Sequence, residues 1–430
     1  MSRDQKLIEK FIASSVEKSF ETPNVYYEGD LIKIQKVGII GAGTMGGGIA
    51  MNFANVGIPV KIVELSKANL DAGIKKVRSN YQRSADKGRF SQEELENRMF
   101  LISGGTNLSE LEDCNLIIEA AYEDLEIKKD LFKKLDLIAR QDTILATNTS
   151  GLDIDEIASV TKRPQDVIGL HFFSPANVMK LIEVVQARKT KPIFIKSCME
   201  MSKLINKIPV LVGVCNGFVG NRILWARTKQ AHRLLAKGVM PWDIDKALNN
   251  FGFKMGPFQM SDLAGLDLGW SKGKNTQYPI KDALCEADRR GQKTSKGYYD
   301  YDENRNGIPS EETENIIRKV TGKDKTKMSE QDIIETLIFP MINEAVKVLS
   351  ENKAQRPSDI DVIWLFGYGW PKDKGGLMLY GDELGSEYIL EKLMKIAIED
   401  RNLQISELLK KVAEEKSRLI DIDNGGLIAN

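Results

Sequence analysis

The chain has 430 residues, and its 61 Lys and Arg balance its 61 Asp and Glu. That length exceeds one ordinary domain and predicts two or three. A formal net charge of zero excludes the global polybasic character of a nucleic-acid or membrane-surface binder. Cys114, Cys198, Cys215 and Cys285 are scattered with no C-x-x-C pair, so no metal and no disulfide framework are expected. The N-terminus lacks the apolar core of a signal peptide, and no run is apolar enough to span a bilayer. The expectation is a soluble, cytoplasmic protein.

Residues 3–20 carry Leu7, Ile8, Phe11, Ile12 and Val16 near a 3.6-residue period, which predicts an amphipathic helix whose apolar stripe needs a partner. Residues 21–34 read as an irregular linker. Residues 36–54 (KVGIIGAGTMGGGIAMNFA) then place a short apolar strand before Gly41, Gly43 and Gly46 and a helix start after them. In a G-x-G-x-x-G turn the first glycine allows a tight bend. The second admits a pyrophosphate to the backbone, and the third lets helix and strand pack closely. The helix N-terminus supplies N–H groups and positive dipole. A second apolar run, Val60, Ile62 and Val63, ends in Glu64 at the spacing of a ribose-binding carboxylate, which favours NAD over NADP. The bland alternative is an acid that merely ends a strand.

Residues 67–99 predict two helices joined near Lys87 and Gly88, with basic residues interleaved with acids as on a solvated face. Further strands are expected at 114–121 (CNLIIEAA), 143–147 (TILAT), 167–171 (VIGLH) and 208–214 (IPVLVGV). Helical patterns separate them, which gives a parallel α/β sheet of the Rossmann type. Beyond Asn216 helices take over. QAHRLLAKG, PWDIDKALNNFGF, GPF and LAGLD recur in order as EAVKVLSEN, RPSDIDVIWLFGYG, GGL and DELG, with P-x-D-I-D at 241–245 and 357–361. This spacing marks an internal duplication rather than a solenoid repeat. Four segments are expected: an arm and linker at 1–34, an NAD-binding domain at 35–215, and related all-helical domains at 216–310 and 325–430. The polar tail from 414 is expected to fray.

Histidine is scarce, only His171 and His232. Ser150 ends one predicted strand, His171 ends another, and Glu183 follows in MKLIEV. A histidine with a carboxylate partner beside a nicotinamide can act as a general base of fixed tautomer, worth about 10²–10⁴ in rate. The residues alone leave His171 open between that role and a satisfied strand-end histidine. His232, mid-helix, reads as structural.

The glycine turn, Glu123 to Lys128, NTS at 148–150, HFFSPANVMKLIEV, NGFVGNR, KMGPF and GQKTSKGYY together resemble the 3-hydroxyacyl-CoA dehydrogenase family. The likeness is strongest to the dehydrogenase half of multifunctional, peroxisomal-type β-oxidation enzymes. It implies NAD-dependent, reversible oxidation of a 3-hydroxyacyl-CoA, with an acyl-CoA thioester as partner. His171 would be the base, Glu183 its pair, and Ser150 and Asn221 donors to the substrate oxygen. Gly41, Gly43, Thr44, Met45, Gly46, Glu64, Glu123, Lys128, Asn148, Ser150, Ser174 and Lys293 would line NAD. Ser174 stands where short family members carry asparagine. Lys293 would close over the cofactor from the helical domain. The 35 residues before the glycine strand are too few for the hydratase half of those relatives, so hydratase activity is not expected, and those steps would fall to a separate hydratase or thiolase. The duplicated helical domain would replace a dimer partner and give a monomer. Two other classes stay open: a β-hydroxyacid dehydrogenase of free acids, which would place a catalytic lysine on its helical domain, and a crystallin-like binding protein without turnover.

Overall fold

A computed structural model describes residues 3–273 and 276–422. In chain order the regular elements begin with α1 (Arg3–Ser19), β1 (Val37–Ile40), α2 (Thr44–Ala54), β2 (Val60–Val63), α3 (Lys67–Ala85), α4 (Gln92–Phe100), β3 (Ile102–Gly105), β4 (Leu116–Glu119) and α5 (Leu125–Ile138). They continue with β5 (Ile144–Thr147), α6 (Ile154–Ser159), β6 (Val167–Phe172), β7 (Leu181–Gln186), α7 (Pro192–Leu204), β8 (Ile208–Gly213) and α8 (Gly220–Ala236). Then follow α9 (Pro241–Phe251), α10 (Pro257–Ala264), α11 (Pro279–Glu286), β9 (Tyr299–Tyr301), β10 (Gly307–Pro309), α12 (Glu311–Thr321) and α13 (Glu330–Ser350). The last are α14 (Pro357–Gly367), α15 (Leu377–Leu384), α16 (Ser386–Glu399) and α17 (Glu407–Glu414).

Two compact units emerge, and they do not follow chain order. Among the described residues, one holds the chain up to Arg222 together with Lys347–Tyr368 and residues 419–422; the other holds the described part of Ile223–Val346 and Gly369–Arg418.

The first unit is built on an eight-stranded sheet of order β3-β2-β1-β4-β5-β6-β7-β8. The chain reverses direction across the sheet between β1 and β4, the switch point where doubly wound sheets bind ligands. Strands β1, β4, β5 and β6 are wholly buried. That is why they read as continuous apolar runs rather than alternating ones. Each Ile, Val or Leu so buried contributes about 1.5–3 kcal/mol of transfer free energy.

Two features differ from the sequence expectation. Strand β3 was hidden because ISGG offers a single apolar side chain. Strand β7 runs antiparallel to β6, while β8 returns parallel to β7. The sheet is therefore mixed, because only eight residues join β6 to β7 and a parallel crossover needs a dozen or more.

The arm finds its partner within this unit: α1 packs on α14 and β8. The guanidinium of Arg356 donates to the Glu21 carbonyl at 3.0 Å just beyond α1. The open edge of β8 is covered too. Gly213 donates its N–H to the Lys353 carbonyl at 2.9 Å, and Val212 bridges Ala354. An edge strand so occupied offers no template for another chain. The tail does not simply fray, since Leu419 is buried in the same unit; residues 423–430 lie outside the described residues.

The second unit is helical apart from a two-stranded antiparallel ribbon, β9 with β10. Asp245, from the first P-x-D-I-D, takes the N–H groups of Phe258 (3.0 Å) and Gln259 (2.8 Å) at the start of α10, and the Tyr299 hydroxyl (2.8 Å). Gly256 cannot be larger, because a Cβ there would lie 2.3 Å from the Asp245 Oδ1. Asp262 likewise takes the N–H groups of Tyr298 and Tyr299. Buried Arg289 ties the same loop through the Gly297 carbonyl and Asp300. The GPF and GQKTSKGYY motifs are thus fixed by buried carboxylates that satisfy backbone donors. In the first unit α14 has the same 11-residue length as α9, with a proline at its start and a buried aspartate, Asp361, at the place of Asp245.

Candidate active site

The glycine turn has the shape that the dinucleotide chemistry needs. Gly41 adopts φ +101°, and a Cβ there would sit 2.6 Å from the Ala120 carbonyl oxygen. A Cβ on Gly46 would lie 1.9 Å from the Gly41 carbonyl oxygen, so helix α2 can approach β1 only without one. At Gly43 a Cβ would meet nothing within 4 Å, leaving open space above the start of α2. Gly43 caps that helix with extended backbone, and no side chain fills its N-terminal donors. Those donors suit a pyrophosphate. Thr44 opens α2, where its Oγ1 accepts from the Lys76 ammonium at 2.9 Å. Met45 follows and lines the cavity described below. The Glu64 carboxylate is held at the turn by the N–H groups of Ala42 (3.0 Å) and Leu65 (2.9 Å). The residues present fit a dinucleotide with a ribose at Glu64.

Between β4 and β5 lies a polar chain. Lys128 on α5 is only 1% exposed, and its ammonium meets Glu119 at 2.7 Å and Glu123 at 3.3 Å. Glu119 is wholly buried and takes the Thr147 hydroxyl as well, at 2.7 Å. A lone buried charge would be costly; here each has partners. Glu123 carries the chain outward. Its Oε1 accepts from the Thr149 hydroxyl (2.7 Å), the Ser150 N–H (2.7 Å) and the Ser150 hydroxyl (3.0 Å). Lys128 thus reaches the site surface by way of Glu123.

Burial opposes ionisation of Glu123, but the Thr149 hydroxyl, the Lys128 charge and the two Ser150 donors outweigh it and hold the carboxyl below its usual range. An acid depressed on folding contributes stability above its unfolded pKa and loses it as pH falls through the folded value. The melting-temperature gap between wild type and Glu123→Gln should therefore be widest near neutrality and close as pH drops below 4.5, the unperturbed value. A gap that stays constant with pH would refute this account.

His171 and Glu183 face each other across β6 and β7 in register. His171 Nδ1 lies 2.7 Å from Glu183 Oε2. The other carboxylate oxygen accepts the Gly220 N–H at 2.9 Å, at the start of α8. A helix N-terminus is a favourable place for a carboxylate. With Glu183 accepting at both oxygens, Nδ1 carries the proton and Nε2 is left as the basic nitrogen. Phe173 and Phe218 flank the ring at centroid distances of 4.6 and 5.7 Å.

His171 lines one cavity of about 300 Å³ with Met45, Asn148, Ser150, Phe172, Phe173, Ser174, Asn221 and Tyr368, and Glu183 lies buried behind it. Asn148 accepts the Phe172 N–H at 2.9 Å, which locks the end of β5 to the end of β6. Asn221 donates from Nδ2 to the Ser150 carbonyl at 3.0 Å. Ser174 is in the cavity wall, and its bond to Pro175 is cis. Lys293 belongs to the helical unit, where its ammonium pairs with Asp267 at 2.6 Å. His232 is in that unit as well, stacked on Tyr278 at 3.9 Å, and burial pushes its pKa down to about 3. It stays neutral and packed, as a structural histidine does.

Glu119, Thr149, Gly220 and Tyr368 were not legible as site residues. Glu119 had a signal, a carboxylate inside the apolar run CNLIIEAA. Gly220 acts through its backbone, which no side chain advertises, and Tyr368 arrives from far along the chain.

Residues 36–215 match the family model described as 3-hydroxyacyl-CoA dehydrogenase, NAD binding domain, and residues 217–301 match its C-terminal domain. The peroxisomal bifunctional enzyme of Cavia porcellus is 42% identical over 422 residues, covering 89% of this chain and 56% of that protein. The chain thus spans a little over half the length of the curated relatives it matches. The crystal structure of the dehydrogenase part of multifunctional enzyme 1 from C. elegans aligns with TM-score 0.67 and 31% identity, covering 94% of this chain and 96% of that one. The 3-hydroxybutyryl-CoA dehydrogenase of Escherichia coli K12 aligns with TM-score 0.78 and 26% identity, covering 90% of this chain and 99% of that one.

Proposed function

Because this chain belongs to the 3-hydroxyacyl-CoA dehydrogenase family, whose members are NAD-dependent oxidoreductases, we propose that it interconverts (S)-3-hydroxyacyl-CoA and 3-oxoacyl-CoA thioesters, as a step of fatty-acid β-oxidation chemistry. The observation that carries the reading is the 2.7 Å contact of His171 Nδ1 with Glu183 on the wall of the cavity that also holds Ser150 and Asn221. NAD, when bound, supplies the acceptor or donor of the hydride at C3. His171 Nε2 takes the proton from the 3-hydroxyl on oxidation and returns it on reduction. Glu183 keeps the imidazole in the required tautomer and stabilises the imidazolium. Ser150 Oγ, turning its single hydrogen from Glu123, and the free N–H of Asn221 Nδ2 donate to the substrate oxygen as its charge develops, an effect typically worth about 10²–10³ per donor. Gly41, Gly43, Thr44, Met45 and Gly46 hold the pyrophosphate side of the cofactor, Glu64 its adenosine ribose, and Glu123, Lys128, Asn148 and Ser174 the remainder, with Lys293 contributed by the helical domain.

The same reading carries an arm at 1–34, an NAD domain at 35–215 and helical domains at 216–310 and 325–430. It also carries a monomer in which the second helical copy stands in for a dimer partner, and a cytoplasmic location suggested by the scattered thiols. The names of several relatives point instead to peroxisomes or glyoxysomes. Among the described residues no helix is long and apolar enough to cross a membrane.

The test is NADH oxidation, followed by absorbance, with acetoacetyl-CoA beside free acetoacetate. Turnover of the thioester alone is the expected result. Turnover of the free acid alone would replace the CoA reading with a free-acid dehydrogenase. Binding of NADH without turnover of either would favour a non-catalytic binding protein.

A further inference from the structure

Tyr368 ends α14, 147 residues beyond Asn221, yet it stands in the wall of the same cavity. Its hydroxyl donates to Asn221 Oδ1 at 2.8 Å. On its other side Asn221 donates from Nδ2 to the Ser150 carbonyl at 3.0 Å. A primary amide has one acceptor end and one donor end. A donor on Oδ1 and an acceptor on Nδ2 together fix both its flip state and its torsion. One N–H of Nδ2 is then left for a substrate oxygen.

The surroundings of the ring are built to the same end. Tyr368 stacks on Trp364 at 4.6 Å and meets the edge of Phe173 at 5.4 Å and 85°. Gly220, one residue before Asn221, makes the room: a Cβ there would lie 2.6 Å from the Tyr368 Cε2 and hydroxyl. Gly367, one residue before Tyr368, lets the end of α14 come close to Leu181 and Phe173, since a Cβ there would lie 2.5 Å from Leu181 Cδ2 and 3.1 Å from Phe173 Cε1. Arg222 and Glu351 add a two-pronged ion pair, at 2.5 and 2.7 Å, between the start of α8 and the segment that leads to α14.

We propose that Tyr368 is a positioning residue of the dehydrogenase site, orienting the Asn221 amide toward the substrate oxygen, so that the second helical copy completes the site that the first domain begins. The inference rests on the dehydrogenase reading above.

Tyr368→Phe keeps the ring and its two aromatic contacts and removes only the hydroxyl. The test measures kcat and KM with acetoacetyl-CoA and NADH for wild type, Tyr368→Phe, Asn221→Ala and the double variant, with a melting curve for each. For Tyr368→Phe the expected result is kcat lower by about three- to tenfold, the scale of one lost hydrogen bond, with the KM for NADH and the melting temperature unchanged. On the Asn221→Ala background the same substitution should change kcat by less than about twofold, because its target is gone. A Tyr368→Phe enzyme with the kcat of wild type would overturn the proposal, as would an equal loss with and without Asn221. If wild type does not turn over acetoacetyl-CoA, the dehydrogenase reading falls first and this role with it.

Discussion

His171→Ala should lower kcat for acetoacetyl-CoA reduction by about 10²–10⁴, the usual worth of a positioned general acid–base group. The group is 6% exposed and lies in the cavity wall, so its loss removes the proton donor without uncovering the cofactor turn at Gly41 to Gly46. NADH affinity, read by quenching of its fluorescence, should hardly move. Retention of turnover within about tenfold of wild type would remove His171 from the base role, because solvent alone does not supply that much. Conversely, loss of NADH binding together with activity would mean the side chain supports the cofactor site rather than the proton transfer.

Glu183→Gln should be nearly as damaging, with a loss of about 10²–10⁴. The two side chains are close to isosteric, but the wholly buried carboxylate faces two donors: His171 Nδ1 and the Gly220 N–H. Glutamine has only one oxygen to offer. If the oxygen stays on Gly220, the amide NH₂ faces His171 and selects the tautomer protonated at Nε2, which cannot accept the substrate proton. If the amide turns, the Gly220 N–H at the head of α8 faces another donor. Residues that act as a unit are not additive. The double variant His171→Ala, Glu183→Gln should thus be no slower than His171→Ala alone. A further hundredfold fall in the double variant would show that Glu183 works independently of the imidazole.

The legible parts of the site share a physical character. The G-x-G-x-x-G turn could be read because its spacing is local, and a Cβ at Gly46 would clash with the Gly41 carbonyl five residues earlier, although the backbone that excludes one at Gly41 is that of Ala120 on a distant strand end. Strands β1, β4, β5 and β6 could be read because burial on both faces leaves an apolar run. His171 and Glu183 were legible as candidates, yet their contact depended on the reversal of β7, which puts the two in register. Lys128 reads from the sequence as a cofactor contact, and the fold buries its ammonium between Glu119 and Glu123. What decides that placement is the partner carboxylate at the end of β4, a residue nine positions earlier that the helix must fold back upon.

By itself the sequence determined an NAD-binding α/β domain followed by a helical region, and named His171 and Glu183 as candidates, since hydrophobic period and residue type are written within a few neighbouring positions. Only the tertiary structure decided that the sheet is mixed, that the arm packs on α14, that residues 347–368 join the first unit, and that Tyr368 meets Asn221. Those facts rest on packing between elements up to hundreds of residues apart, where the pairing is selected by buried area, strand register and satisfied polar groups rather than by anything local to either partner.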